Sequence, residues 1–338
     1  MNKYPRSCFF FPTITLILDD NDSFLESMVL ALKGKFLTRI STSAEEALQI
    51  IAVNSSTNYF DKGCFDVAIK NIENDNEDTI VTMGINIKEI SMQLFNSNRY
   101  SLISNILLDY SMPKINGLDF CSRLTQSKII KMMLTGEADL STAVTAFNNG
   151  LINMFFQKGC DNMLELIDSA INDAQCLYFE RIGTPLIDAI CGNNNHILKN
   201  DYYWNYFNKL CSKLNIVEYY LIDRNGSFLL LDENAKPYWF IIRTEQDFIS
   251  LHEIAIGNNA IKSIISNIHR RIKIPLLMSE SAQKLPVNCW ENYLYKVEYF
   301  PNLKEVYYIL IEKENFGEMD FSNVRSYKNY QKDLSLNY

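Results

Sequence analysis

The chain has 338 residues, more than one ordinary hydrophobic core holds, so two or three domains are expected. Hydrophobic residues make up 47% and charged residues 21%, a globular mix, and no apolar run approaches the length that spans a bilayer. A formal net charge of −8 argues against a protein built to grip phosphate backbones, so DNA binding is not expected. The eight cysteines are at 8, 64, 121, 160, 176, 191, 211 and 289, no two closer than fifteen residues. With only three histidines, His196, His252 and His269, a zinc site or a His-based triad is poorly supplied.

The apolar run 9–18 stops abruptly at Asp19-Asp20 with no small-residue cleavage site, so it reads as a buried strand rather than a leader, and the protein is expected in the cytoplasm. Ile14–Leu18 is the first strand. Ser23–Gly34 follows as an amphipathic helix, Phe36–Ser41 as a strand, and Ser43 with Glu46 as a capping box opening a helix to about Val53. This β-α-β-α order predicts a parallel sheet with helices on both faces. Residues 53–101 interrupt the rhythm. Glu73–Asp78 is polar and reads as a loop, Ile85–Phe95 has helical spacing, and a long polar insertion of this kind reads as a disordered or interaction segment. The alternation then resumes: strand Asn105–Leu108, helix Gly117–Leu124, strand Ile129–Leu134, helix Leu140–Asn149 stopped by Gly150, and strand Ile152–Gln157. Asp161 opens a long helix to about Arg181, interrupted by Gly183-Thr184-Pro185.

Beyond that point the period changes. Val217–Ile222, Ser227–Leu231 and Tyr238–Arg243 read as strands, the first two joined by the tight turn Asp223–Gly226. Helices are expected at about 245–256 and 258–270, then a hairpin of Asn292–Phe300 and Val306–Ile311 over Pro301-Asn302. The division is therefore 1–182, an α/β unit with an insertion and a long final helix; 183–315, an α+β unit on an antiparallel sheet; and 316–338, a polar, frayed tail.

Four strands of the first unit end in chemically useful residues: the pair Asp19-Asp20, then Asp109, Thr135 and Lys158. In open parallel sheets, ligands bind outside the carboxyl ends of strands. An acid after a strand is commonly a turn residue, and a lone Thr or Lys there means nothing. All four in this order, with 26 residues from 109 to 135 and 23 from 135 to 158, are hard to obtain by chance.

This set, with Leu108-Asp109-Tyr110-Ser111-Met112-Pro113-Lys114-Ile115-Asn116-Gly117 and Met133-Leu134-Thr135-Gly136-Glu137, resembles the receiver domain of two-component response regulators. The resemblance implies a CheY-like doubly wound sheet of five parallel strands and an insertion of about 45 residues beyond a minimal receiver of this kind. It implies that Asp109 accepts a phosphoryl group and that Mg²⁺ is held by Asp20 and Asp109, by Asp19 through water and by the Ser111 carbonyl. Lys158 and Thr135 would bind the phosphoryl oxygens, Phe155 would be a switching aromatic, and Ser111 and Glu137 would border the hydrolytic water and control dephosphorylation. A sensor histidine kinase and a homodimer formed on phosphorylation are the implied partners. Gly159 departs from the family, which usually has proline after the lysine, so a looser loop is expected.

The segment Glu218–Asp232, with Ile85–Tyr100, further resembles a proteobacterial family of quorum-sensing response regulators with an inserted receiver and a private C-terminal domain. No known enzymatic output text is visible, so the second unit is expected to be non-enzymatic, with its output partner unknown. The basic stretch Lys262–Lys273 reads as a solvated helix face. The competing expectation is a sensor that binds a ligand or nucleotide through residues 217–311, with a weakly active receiver or pseudo-receiver.

Overall fold

The computed structural model describes residues 4–56, 65–71, 79–124, 127–136, 140–192, 196–278, 280–314, 316 and 319–336. Its first sheet is built from β2 (Ile14–Leu18), β3 (Leu37–Ser41), β6 (Ile103–Asp109), β7 (Ile130–Thr135) and β8 (Met154–Gln157) in the order β3-β2-β6-β7-β8. Every pairing in it is parallel. β2, β6 and β7 are buried along their whole length, which is why they read as unbroken apolar runs rather than alternating ones. Helices α1 (Asp22–Leu32) and α2 (Ala44–Ser56) precede the insertion; α4 (Gly117–Ser122) and α5 (Leu140–Asn148) follow it. This is the CheY-like doubly wound sheet expected from the sequence.

The insertion carries β4 (Phe65–Asn71) and β5 (Thr79–Ile85), paired antiparallel, and α3 (Ile87–Met92) continued by a 3₁₀ turn to Phe95. The sequence reading does not anticipate this hairpin; the Glu73–Asp78 stretch, read as a loop, lies outside the described residues. Ser43 does accept the Glu46 backbone N–H, but the Glu46 carboxylate turns to the Ser41 hydroxyl, so the capping box is only half made.

The 9–18 run is two strands rather than one. Its start, β1 (Phe9–Phe10), belongs to the second sheet, where Phe9 lies opposite Tyr220 and Phe10 opposite Tyr219. Pro12 separates the two pieces, and both are apolar, so composition does not tell which sheet each joins. The second sheet also holds β9 (Ile216–Leu221), β10 (Phe228–Asp232), β11 (Pro237–Thr244), β14 (Glu298–Tyr299) and β15 (Val306–Glu312), in the antiparallel order β1-β9-β10-β11-β15-β14. Between β11 and β15 lie helices α8 (Glu245–Gly257) and α9 (Lys262–His269) and a separate ribbon of β12 (Lys273–Pro275) with β13 (Leu294–Lys296).

Two further expectations are corrected. Helix α6 (Met163–Cys191) runs unbroken through Gly183-Thr184-Pro185, and its cap is Asn162, without a side-chain cap bond, rather than Asp161. The glycine is a close-approach site: a Cβ on it would lie 2.2 Å from the Ser7 hydroxyl and 2.9 Å from the Ser7 Cα. The C-terminal segment is folded rather than frayed. Tyr330 in α10 (Tyr327–Leu336) is buried, and Tyr327 and Tyr330 pack on Tyr100 at ring-centroid distances of 5.4 and 5.3 Å. Polar spacing hides these aromatic anchors from a local reading. Short α7 (Asp201–Lys213) contributes Tyr203, Trp204 and Phe207 to the core of the second sheet.

Candidate functional site

Asp19 and Asp20 follow β2, and Asp109 ends β6, the strand beside it, so the parallel register alone brings three carboxylates to one sheet edge. One oxygen from each lies within 4.8 Å of the others. Asp19 and Asp109 are buried, whereas Asp20 is exposed. Lys158, one residue past β8, reaches back so that its ammonium lies 2.9 Å from an oxygen of Asp19 and 2.9 Å from one of Asp109. Its backbone N–H donates to the Thr135 carbonyl at 2.9 Å, tying the β7 and β8 ends together. Thr135 is fully buried, and its hydroxyl donates to the Gly136 carbonyl at 3.1 Å.

Local sequence explains the aim of these groups. The second Asp19 oxygen accepts the Asn21 N–H, and Asn21 in turn caps α1 by accepting the Phe24 N–H. On the other loop Asn116 caps α4 by accepting the Asp119 N–H. A Cβ on Gly117 would lie 2.5 Å from the Asp109 carbonyl oxygen and 3.1 Å from the Tyr110 Cα, so only glycine lets α4 start against the end of β6. Gly159, after Lys158, has φ +82, a conformation closed to the proline the family usually places there.

The Asp109 carboxyl is held above its ordinary range, first by burial and further by the Asp19 carboxylate; the Lys158 hydrogen bond and charge and the Ser111 backbone N–H only partly offset this. For Lys158 burial pulls the ammonium down, but hydrogen bonds to Asp109 and Asp19 outweigh it and leave the group above its usual value. An all-oxygen cluster with one solvent-facing member suits a hard divalent cation that keeps part of its water shell. The donor set therefore fits Mg²⁺, and it offers no sulfur or imidazole to a softer metal.

Of the other residues named from the sequence, Ser111 lies exposed at the start of the loop after Asp109. Phe155 is half-buried on β8, its ring meeting Phe147 of α5 edge-on at 5.9 Å. Both rings line a surface cavity of about 520 Å³ with Met154, Phe156 and Leu166. Glu137 lies outside the described residues. Sequence reasoning passed over Phe24, whose ring centroid is 5.1 Å from the Lys158 ammonium. The signal available was an aromatic one helical turn past an acid pair, a pattern that core packing also produces.

No protein-family model and no curated protein matches the chain. Among solved structures, the Legionella pneumophila response regulator LqsR superposes with a TM-score of 0.78 at 27% identity, covering 97% of this chain and 96% of that one. The chain has a response-regulator fold. At 97% of this chain, the likeness to LqsR extends over both units and not the receiver alone. A receiver domain from Clostridium thermocellum matches over 52% of this chain and 98% of its own, with a TM-score of 0.31 and 17% identity. A Rhodopirellula baltica adenylate cyclase structure matches over 50% of this chain and 90% of its own, with a TM-score of 0.33 and 22% identity. No described helix is long and apolar enough to cross a membrane.

Proposed function

We propose that this response regulator takes a phosphoryl group on Asp109 from a sensor histidine kinase in the cytoplasm and signals by dimerising, its second unit serving as a non-enzymatic output. The observation that carries the reading is the Lys158 ammonium set between Asp19 and Asp109 beside a third carboxylate, all at one carboxyl edge. Asp20, Asp109 and the Ser111 carbonyl would hold Mg²⁺, with Asp19 acting through water. When bound, that ion would offset the negative charge of the phosphoryl oxygens and ease the approach of the anionic carboxylate. The chain's own groups do the positioning. An Asp109 oxygen forms the bond to phosphorus as the donor's bond to it breaks, and Lys158 pairs with a phosphoryl oxygen. The Thr135 hydroxyl, now spent on Gly136, turns to donate to another. Phosphoryl transfer asks for little beyond such placement.

Movement of Thr135 would free space for Phe155 and repack the surface it shares with Phe147. That surface already exposes Phe147 and Leu166, and Leu140, Val144 and Leu164 are exposed on the same two helices, apolar side chains available to an association site. The likeness to the Legionella regulator supports a place in quorum sensing. Ser111 and Glu137 would set how long the phosphoryl group persists.

The test is incubation with acetyl phosphate and Mg²⁺, read by phosphate-affinity electrophoresis and size-exclusion chromatography. Incorporation and an earlier elution volume are expected for the wild type and neither for Asp109→Asn. Folded wild type that takes no phosphoryl group would instead make the first unit a pseudo-receiver and move the search to a ligand of the second.

A further inference from the structure

The geometry points to Phe24 as a positioning residue for Lys158, an inference that rests on the phosphoryl-acceptor reading above. Among the described residues Lys158 is the one cation of the site, and solvent reaches it. Its side chain is 33% exposed, and it is followed by Gly159, where a Cβ would meet nothing within 4 Å, so the loop is unpacked at the point where the lysine leaves the strand. Four contacts hold it: the backbone bond to Thr135, the carboxylates of Asp19 and Asp109, and the face of the Phe24 ring 5.1 Å from the ammonium.

These contacts differ in what happens to them when the site is used. The two carboxylates are the same ones a divalent cation would engage, and Asp109 is the one that would carry the phosphoryl group. Any cation at the cluster competes with the ammonium for those oxygens. The Phe24 ring can neither ligate a metal nor be phosphorylated, so its attraction for the ammonium persists while the carboxylates are otherwise engaged. An aromatic face attracts a cation through its quadrupole, and does so most when the contact is partly shielded from water, as here. The ring is itself well placed for this. Phe24 sits in the first turn of α1, fixed by the Asn21 cap, and is half-buried against the core. The helix that begins after the acid pair thus supplies a seat for the lysine that must meet the phosphoryl group. That seat stands in for the rigidity that the left-handed Gly159 does not give.

Two readouts separate this role from the function it serves. The first uses metal-free protein and no phosphoryl donor: trace acetylation of lysines, with Lys158 compared by mass spectrometry against exposed Lys114. Phe24→Leu keeps apolar bulk but removes the ring, and is expected to raise the relative reactivity of Lys158 about threefold, the size of one such contact. Phe24→Tyr keeps the ring and is expected to restore protection. The second is the rate of Asp109 labelling by acetyl phosphate with Mg²⁺. Phe24→Leu is expected to slow it about threefold, and to have no further effect in a Lys158→Ala background, since the two residues act through one contact. If wild type takes no phosphoryl group, the receiver reading fails while the reactivity assay still decides the Phe24 contact. Equal Lys158 reactivity in wild type and Phe24→Leu, or a Phe24 effect that survives in the Lys158→Ala background, would overturn the inference.

Discussion

Asp109 is both the phosphoacceptor candidate and a strained member of the fold. Its folded carboxyl is raised above its unfolded value, chiefly by burial. A group raised in this way contributes stability below its unfolded pKa, about 3.9, and loses it as pH rises through the folded value. At neutral pH the group therefore opposes folding, and Asp109→Asn is expected to melt higher than wild type without divalent metal. The advantage should vanish as pH falls below about 4. Thermal melts in a chelator across that range check this, and a lower neutral-pH melting temperature for the variant would count against it. Gly117 is the second sensitive residue. Gly117→Ala pushes a methyl into the Asp109 carbonyl and Met133, at an expected cost of about 1–3 kcal/mol by urea denaturation. Because the carbonyl belongs to Asp109, the proposed phosphoacceptor, labelling of Asp109 should fall further than stability does. Of these residues the acids, Thr135 and Lys158 were legible in sequence because a strand end fixes where a side chain goes. The Phe24 contact was not, since it depends on how far α1 lies from β8.

Helix α6 makes the same point at the scale of an element. Its 29 residues span about 43 Å at 1.5 Å per residue. Ile167, Ala170, Ile171 and Ala174 lie buried in the half beside the first sheet. Phe179, farther along, meets Phe9, Phe10 and Phe11 at centroid distances of 5.8, 5.2 and 5.0 Å. Gly and Pro are the usual signals of a helix end, and here both are overruled by tertiary packing. Gly183 admits the crossing chain at Ser7, and Pro185 lies on the exposed side. On propensity alone Gly183→Ala should stabilise the helix by about 1 kcal/mol. The contact with Ser7 predicts the reverse, a net loss of about 1–3 kcal/mol from overpacking. Ser7→Gly should recover part of it in a double variant. Chemical denaturation of the three proteins decides whether position 183 is a helix position or a crossing point.

At the scale of the molecule, strand β9 joins the two units. The chain enters β2, which leads to Asp19-Asp20, directly from Phe9-Phe10 paired on β9. It enters β6, which ends in Asp109, from Arg99-Tyr100, and both of these bond to Glu218 of β9. Arg99 meets Glu218 with two hydrogen bonds of 2.7 and 2.9 Å, the Tyr100 hydroxyl donates to it at 2.7 Å and the Tyr220 hydroxyl at 2.8 Å. The same guanidinium donates to the Arg325 carbonyl, which draws in the C-terminal segment. Burial lowers the affinity of Arg99 for its proton, but Glu218 more than offsets this, and burial beside Glu218 holds both phenols above their usual range. Breaking one side of such a buried pair costs several kcal/mol, so the two units should unfold together and the second unit should not be released on phosphorylation. No local pattern announces this, because the partners are 119 residues apart.

The three tryptophans, Trp204, Trp239 and Trp290, all lie in the second unit, so their fluorescence reports its unfolding alone. Leu107→Ala, a truncation in the core of the first sheet, should destabilise that sheet by about 2–5 kcal/mol. With the units joined through β9, the tryptophan transition should shift to lower urea by as much as the far-UV circular dichroism transition. Replacing the pair with apolar residues of similar bulk, Arg99→Met with Glu218→Leu, removes the ionic tie without leaving a lone charge. In that background the two transitions should draw apart. A tryptophan midpoint indifferent to Leu107→Ala in the otherwise wild-type chain would mean that β9 joins the units in space but not in energy, and that phosphorylation is free to separate them.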